Sequence, residues 1–153
     1  PEDFTFGPGG ILPGLFGGET QDPPAQATKG AFSVRNTWDG TGIARVRTVT
    51  ADKPAGEAFP IDPESMELPR GQWVRVEQEV VLNEPGTNNG ALRLWIDGKL
   101  KRELFDVAFR ASDKAQFRGV VADVHYGATA PAGSTPAPKP TQLRLTPFEL
   151  RWQ

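Results

Sequence analysis

Residues 70–99, RGQWVRVEQEVVLNEPGTNNGALRLWIDGK, carry the pattern that decides the fold. Over residues 72–82, Val74, Val76, Val80 and Leu82 alternate with Trp73, Arg75, Glu77, Glu79 and Val81. A period of two puts the first set on one face of an extended chain and the second set on the other. Glu84-Pro85-Gly86 and Asn88-Asn89-Gly90 supply turn residues. A second strand follows over 91–96 with Leu92, Leu94 and Ile96 inward. Asp97-Gly98 has the chemistry of a two-residue type I′ hairpin, and residues 99–105 return. The block predicts antiparallel strands with one face on a core and the other in water.

Working outward, the same alternation recurs. Over 31–38, Phe32 and Val34 share one face, and Ser33, Arg35 and Thr37 share the other. Over 43–50, Ala44 and Val46 stand opposite Arg45 and Arg47. Residues 117–126 and 143–152 read as further strands. Residues 51–71 hold four prolines and read as a surface excursion. Residues 127–141, rich in Ala, Pro, Gly and Ser, read as a flexible loop. Residues 1–30 read as mostly irregular. Within them GPGGILPGLFGG, residues 7–18, packs six glycines and two prolines around four apolar residues. That composition argues against a long regular strand and for a loop. Such a loop either plugs a sheet edge or lets a ligand approach the backbone. Short strands, many turns and no helical period predict an all-β fold, an antiparallel two-sheet sandwich of jelly-roll type.

Composition narrows the function. A length of 153 residues suits one domain, 1–153. The net charge of −2 gives no basic field for nucleic acid. No apolar run is long enough to cross a membrane as a helix. One histidine and no cysteine argue against a zinc site, and no cofactor motif stands out, so no metal or cofactor is expected.

The wet faces hold the candidate chemistry. Ser33, Arg35, Arg45 and Arg47 fall on one exposed face if strands 31–38 and 43–50 pair. A cluster of guanidiniums there suits a carboxylate or sulfate ligand, or else is a solvated face balanced by Glu77 and Glu79. His125 and Tyr126 are the single histidine and the single tyrosine. As strand neighbours they point to opposite faces. His125 shares its face with Asp123, the arrangement of an oriented general base. The four tryptophans read as packing residues, with Trp73 and Trp95 alone placed to stack on a sugar.

Three segments together resemble a known family. PEDFTFGPGGILPGLFGG is similar to the F-x-F-x-x-G-G-K-L-P-G-L-x-G-G stretch of alginate and glucuronan lyases, which have a concanavalin-like β-jelly roll. FSVRNTW resembles their F-S-x-R-x-x-W strand, and the 70–99 block resembles their G-x-W…V-x-L-N-x-P-G-x-x-N-G-x-L-x-V-W-x-D-G block. Weaker echoes are Phe109-Arg110, the strand ending in Tyr126-Gly127, and the closing FELRW. The resemblance implies a secreted or periplasmic protein whose partner is an anionic polysaccharide, a polyuronate, with a groove bordered by the glycine–proline segment. It implies cleavage by β-elimination, in which cations neutralise the uronate carboxylate and a base removes the proton alpha to it. Ser33 and Arg35 match the family's site. Ile11 stands where the family has Lys, and Arg45 and Arg47 stand where it has Tyr-x-Tyr. The family also has further strands ahead of the first motif, so the chain reads as a fragment or as a domain with an unpaired edge.

These departures predict weak or absent elimination, because arginine stays protonated and makes a poor base. Tyr126 and His125 are then the candidate proton-transfer residues, with Ser33, Arg35, Arg45 and Arg47 binding the polymer. A non-catalytic carbohydrate-binding module and a structural or adhesion sandwich stand as alternatives. The sequence sets no oligomeric state.

Overall fold

The computed structural model of the chain describes residues 4–19, 30–62, 64, 66–127, 140 and 142–152. These residues form nine strands and no helix. The strands are β1 (Gly9–Gly18), β2 (Phe32–Asp39), β3 (Ala44–Val49), β4 (Glu57–Pro60), β5 (Val76–Val81), β6 (Gly90–Ile96), β7 (Lys99–Val107), β8 (Gln116–Val121) and β9 (His125–Tyr126). The larger antiparallel sheet runs β4-β3-β2-β1-β8, with β9 also on β1, and the smaller runs β5-β6-β7. The two sheets make a sandwich of jelly-roll type.

The alternation explains the core. Phe32 and Val34 of β2 and Ala44 and Val46 of β3 face Leu92, Leu94 and Ile96 of β6, and all belong to one buried cluster. Phe109 and Ala115 close it from the β7–β8 connection. Burying one such large side chain contributes about 1.5–3 kcal/mol. The Asp97-Gly98 hairpin has φ of 50° and 76°, both positive as a type I′ turn requires. One polar staple sits beside the core. Asn83, 1% exposed, donates to Glu84 O, Thr87 O and Arg110 O, and accepts from Arg110 N.

The structure corrects four expectations. The glycine–proline segment is neither an edge plug nor a loop: it is β1, a ten-residue strand inside the larger sheet. Gly9 takes a φ of 106°, which favours glycine, but Gly10, Gly14 and Gly17 answer crowding. A Cβ on Gly10 would lie 2.1 Å from the Trp38 ring, and one on Gly14 would lie 2.1 Å from Val34 O. A bulge between Ile11 and Gly14 takes up Leu12 and Pro13, so the proline interrupts the ladder only where it already breaks. Residues 51–71 are not only an excursion, for they include β4, which ends at Pro60 on a sheet edge. Residues 117–126 are two strands rather than one, broken at 122–124. Residues 142–152 form no strand, and Leu143, Leu145, Phe148, Leu150 and Trp152 are exposed. Alternation marks two faces, but a strand also needs a backbone to pair with, and none of the described strands pairs with this one. The flexible loop expected at 127–141 lies outside the described residues except for 127 and 140.

Candidate functional site

The register of the larger sheet assembles its outer face in rows. Directly paired residues on antiparallel strands point to the same side. One row runs His125, Ile11, Thr37, Arg45, Pro60 from β9 to β4, and the next runs Gly14, Arg35, Arg47, Ala58. Both rows lie opposite the face that carries Val34 and Val46 to the core. The structure thus brings Arg35, Arg45, Arg47 and His125 together on one surface. An open cleft of about 220 Å³ runs along it, lined by Gly10, Ile11, Thr37, Asp39, Arg45 and Arg47 among others. Ser33 stands on the same face, across from Val49, but is only 7% exposed.

Each arginine is aimed by its own acceptor. Arg35 and Arg47 sit directly opposite each other, and like charges in that position repel. They turn apart. Arg35 reaches over β1, where Gly14 offers no side chain, and its Nε donates to Leu12 O at 2.9 Å. Its Nη2 donates to Asp123 Oδ1 at 2.6 Å and to Asp123 O at 3.0 Å. Arg47 leans the other way and its Nη2 donates to Ala55 O at 2.8 Å. Arg45 Nε donates to Asp39 Oδ2 at 2.9 Å. Among the described residues, the remaining guanidinium N–H groups of Arg45 and Arg47 have no protein acceptor, so these two arginines offer open donors to the cleft.

Two carboxylates organise this face: Asp39, which the sequence did not single out, and Asp123, which it placed beside His125. Asp39 Oδ1 accepts from Thr41 N, Thr41 Oγ1 and Ile43 N, which closes the β2–β3 turn. Partial burial pushes its pKa up, but the hydrogen bonds from Thr41, Arg45 and Ile43 outweigh it and bring it down to about 2. The signal was present: an Asp before Gly-Thr-Gly at a strand end is Asx-turn chemistry. Asp123 lies in the break between β8 and β9 and joins Arg35 to His125, whose Nε2 is 2.5 Å from Asp123 Oδ2. Burial raises the Asp123 pKa, yet the His125 hydrogen bond and the nearby Arg35 charge hold the carboxyl below its usual range. Burial in turn draws the Arg35 pKa down, against the pull of Asp123. The sequence neighbours of Asp123 and His125 pointed to their pairing. Nothing local pointed to Arg35, 88 residues away.

Tyr126 is not brought to this face. It pairs with Gly10 on the side of Trp38, and its hydroxyl donates to Gly7 O at 2.5 Å. Its ring packs against Phe4 and Trp38, with centroids 6.3 and 6.4 Å away. Trp73 and Trp95 belong to the smaller sheet's side of the sandwich; Trp73 is 64% exposed and Trp95 pairs with Glu77.

Residues 1–143 match the family polysaccharide lyase 14. Solved structures share the fold. One is the alginate lyase vAL-1 from Chlorella virus, with 19% identity and a TM-score of 0.69, covering 83% of this chain and 58% of that one. Another is the marine PL-14 alginate lyase from Aplysia kurodai, with 20% identity and a TM-score of 0.68, covering 89% and 60%. The alginate lyase Aly36B aligns with 15% identity and a TM-score of 0.60, covering 84% and 57%. The chain spans about three fifths of the length of these structures. No curated protein matches the chain. The family match takes in the glycine–proline strand, the Ser33-Arg35 strand and the 70–99 block together, and on that extent the chain belongs to the polysaccharide lyase 14 family.

Proposed function

We propose that the chain binds an anionic polysaccharide, a polyuronate of the alginate or glucuronan type, across the outer face of the larger sheet and cleaves it slowly by β-elimination. The observation that carries this reading is the placement of Arg35, Arg45, Arg47 and His125 on one face, with Arg45 and Arg47 lining an open cleft there. A uronate carboxylate offers two planar acceptors, and a guanidinium offers a planar fork of donors. One charged hydrogen bond of this kind contributes about 1.5–3 kcal/mol. Arg45 and Arg47 keep free donors for it, while Arg35 is tied to Leu12 and Asp123.

Elimination asks for charge neutralisation at the carboxylate and a base at the adjacent carbon. The arginines supply the first. His125 is the proton-transfer group on this face, because the Tyr126 hydroxyl is committed to Gly7 on the other side. Ile11 lines the cleft where the family resemblance places a lysine, so one cation is missing and turnover is slow. That same substitution favours a second reading, in which the groove binds the polymer and does not cut it. A polymer too large to enter a cell fits a protein exported to the periplasm or the exterior.

The test is incubation with alginate, a polyglucuronate and a neutral glucan. Ultraviolet absorbance follows the unsaturated product, and titration calorimetry follows binding. Absorbance growing with a polyuronate supports the lyase. Binding without product selects the second reading. Equal binding of the neutral glucan defeats the anionic groove.

A further inference from the structure

We propose that Asp123 is a positioning residue that holds Arg35 and His125 as one unit, with His125 Nδ1 left free as the proton carrier of the elimination. The proposal rests on the polyuronate reading above and names the base and its support within that site. The geometry is a chain of three charged or polar groups. Arg35 Nη2 is 2.6 Å from Asp123 Oδ1, and Asp123 Oδ2 is 2.5 Å from His125 Nε2. Arg35 Nη2 also donates to the Asp123 carbonyl, so side chain and backbone of the 122–124 break are held at once. Exposure rises along the chain of groups. The Arg35 side chain is 14% exposed, that of Asp123 47% and that of His125 58%. The partly buried cation is the anchor and the imidazole is the open end, on the face where the polymer lies.

This order has a chemical consequence. The guanidinium keeps Asp123 ionised, so its carboxylate accepts and does not donate. A neutral imidazole beside it then carries its hydrogen on Nε2, which fixes the lone pair on Nδ1. In the elimination, Nδ1 takes the proton from the carbon next to the uronate carboxylate. The released electron pair forms a carbon–carbon double bond, and the glycosidic carbon–oxygen bond on the neighbouring carbon breaks. The imidazolium hands the same proton to the leaving oxygen, so His125 returns to its starting state. Arg45 and Arg47 meet the charge that develops on the carboxylate.

The experiment measures kcat and KM on a polyuronate, together with binding, for the whole chain and for Asp123→Asn, Asp123→Glu and His125→Gln. Asp123→Asn keeps the shape and removes the charge. The expected result is a fall in kcat of about a hundredfold in Asp123→Asn and at least that in His125→Gln, with KM and affinity little changed, and partial recovery in Asp123→Glu. Unchanged kcat in either Asp123→Asn or His125→Gln overturns the proposal. A joint loss of binding and turnover that Asp123→Glu does not relieve also overturns it, because Asp123 then serves folding alone. If the unaltered chain binds polyuronate and releases no unsaturated product, the proton carrier falls and the binding face stands. If it binds no polyuronate, both fall.

Discussion

The two outer faces of the sandwich use arginine in opposite ways. On the smaller sheet, Arg93 sits at mid-strand between Glu79 on β5 and Glu103 on β7, its direct cross-strand partners. It bonds both, at 2.5 and 2.9 Å, and these hydrogen bonds raise its pKa. One cation meets two anions, and its charge is more than balanced in place. On the larger sheet, Arg45 and Arg47 stand beside a cleft, each fixed by a single acceptor among the described residues. Among the described residues, Arg35, Arg45 and Arg47 there meet only two carboxylates, Asp39 and Asp123. The alternation is the same in both sheets. Cross-strand partners decide whether an arginine is neutralised in place or held out for a ligand.

That contrast can be broken at its root by filling the gap over which Arg35 reaches. Gly14→Val puts side-chain atoms where even a Cβ lies 2.1 Å from Val34 O, so β1 must move off β2. Stability is expected to fall by about 3 kcal/mol in urea unfolding, with loss of polyuronate binding. An unchanged midpoint shows that β1 and β2 do not pack this closely. Next in size is Arg45→Ala with Arg47→Ala. Polyuronate affinity is expected to drop about a hundredfold, about 2.7 kcal/mol, while the fold persists. Added salt weakens the unaltered chain's binding too, because this face is open to solvent and the screening length is about 8 Å at physiological ionic strength. Affinity that survives the double substitution places the ligand elsewhere.

A smaller effect sharpens the larger sheet's side of the contrast. Asp39→Asn keeps the size of the side chain and removes the charge that aims Arg45. It is expected to cost about 1 kcal/mol at neutral pH. Because the folded pKa of about 2 lies below the ordinary 3.8, the charge of Asp39 stabilises the fold above pH 3.8. That contribution is lost as pH falls towards 2. The gap between the two proteins in thermal unfolding is therefore expected to close on acidification, and a gap that widens contradicts the assignment. Smallest of all is Arg93→Ala, for which titration is expected to show polyuronate affinity unchanged. A loss there erases the distinction between the faces.

Much of the fold was legible because it depends on local alternation. Alternation turns Leu92, Leu94 and Ile96 inward and puts Phe32 with Val34 and Ala44 with Val46 on one face, and all seven are buried together. Asp97-Gly98 has hairpin chemistry and takes the required positive φ values. Arg35, Arg45 and Arg47 share one face, since strand period fixes the side of each residue once β2 and β3 pair. The opposite orientation of His125 and Tyr126 follows from the same rule.

What the sequence alone could not decide depends on partners distant in the chain. GPGGILPGLFGG has the composition of a loop, and it is a strand because β2 and β8 pair with it on either side, while at Gly10 and Gly14 Trp38 and Val34 leave room only for glycine. Residues 142–152 have the pattern of a strand and lack one, because a ladder needs a second backbone and the described strands supply none. Asp123 and Arg35 meet only when β8, β1 and β2 are laid side by side. Side-chain period determines which way each residue faces. Only the tertiary pairing of strands determines what it faces, and that is where the site is made.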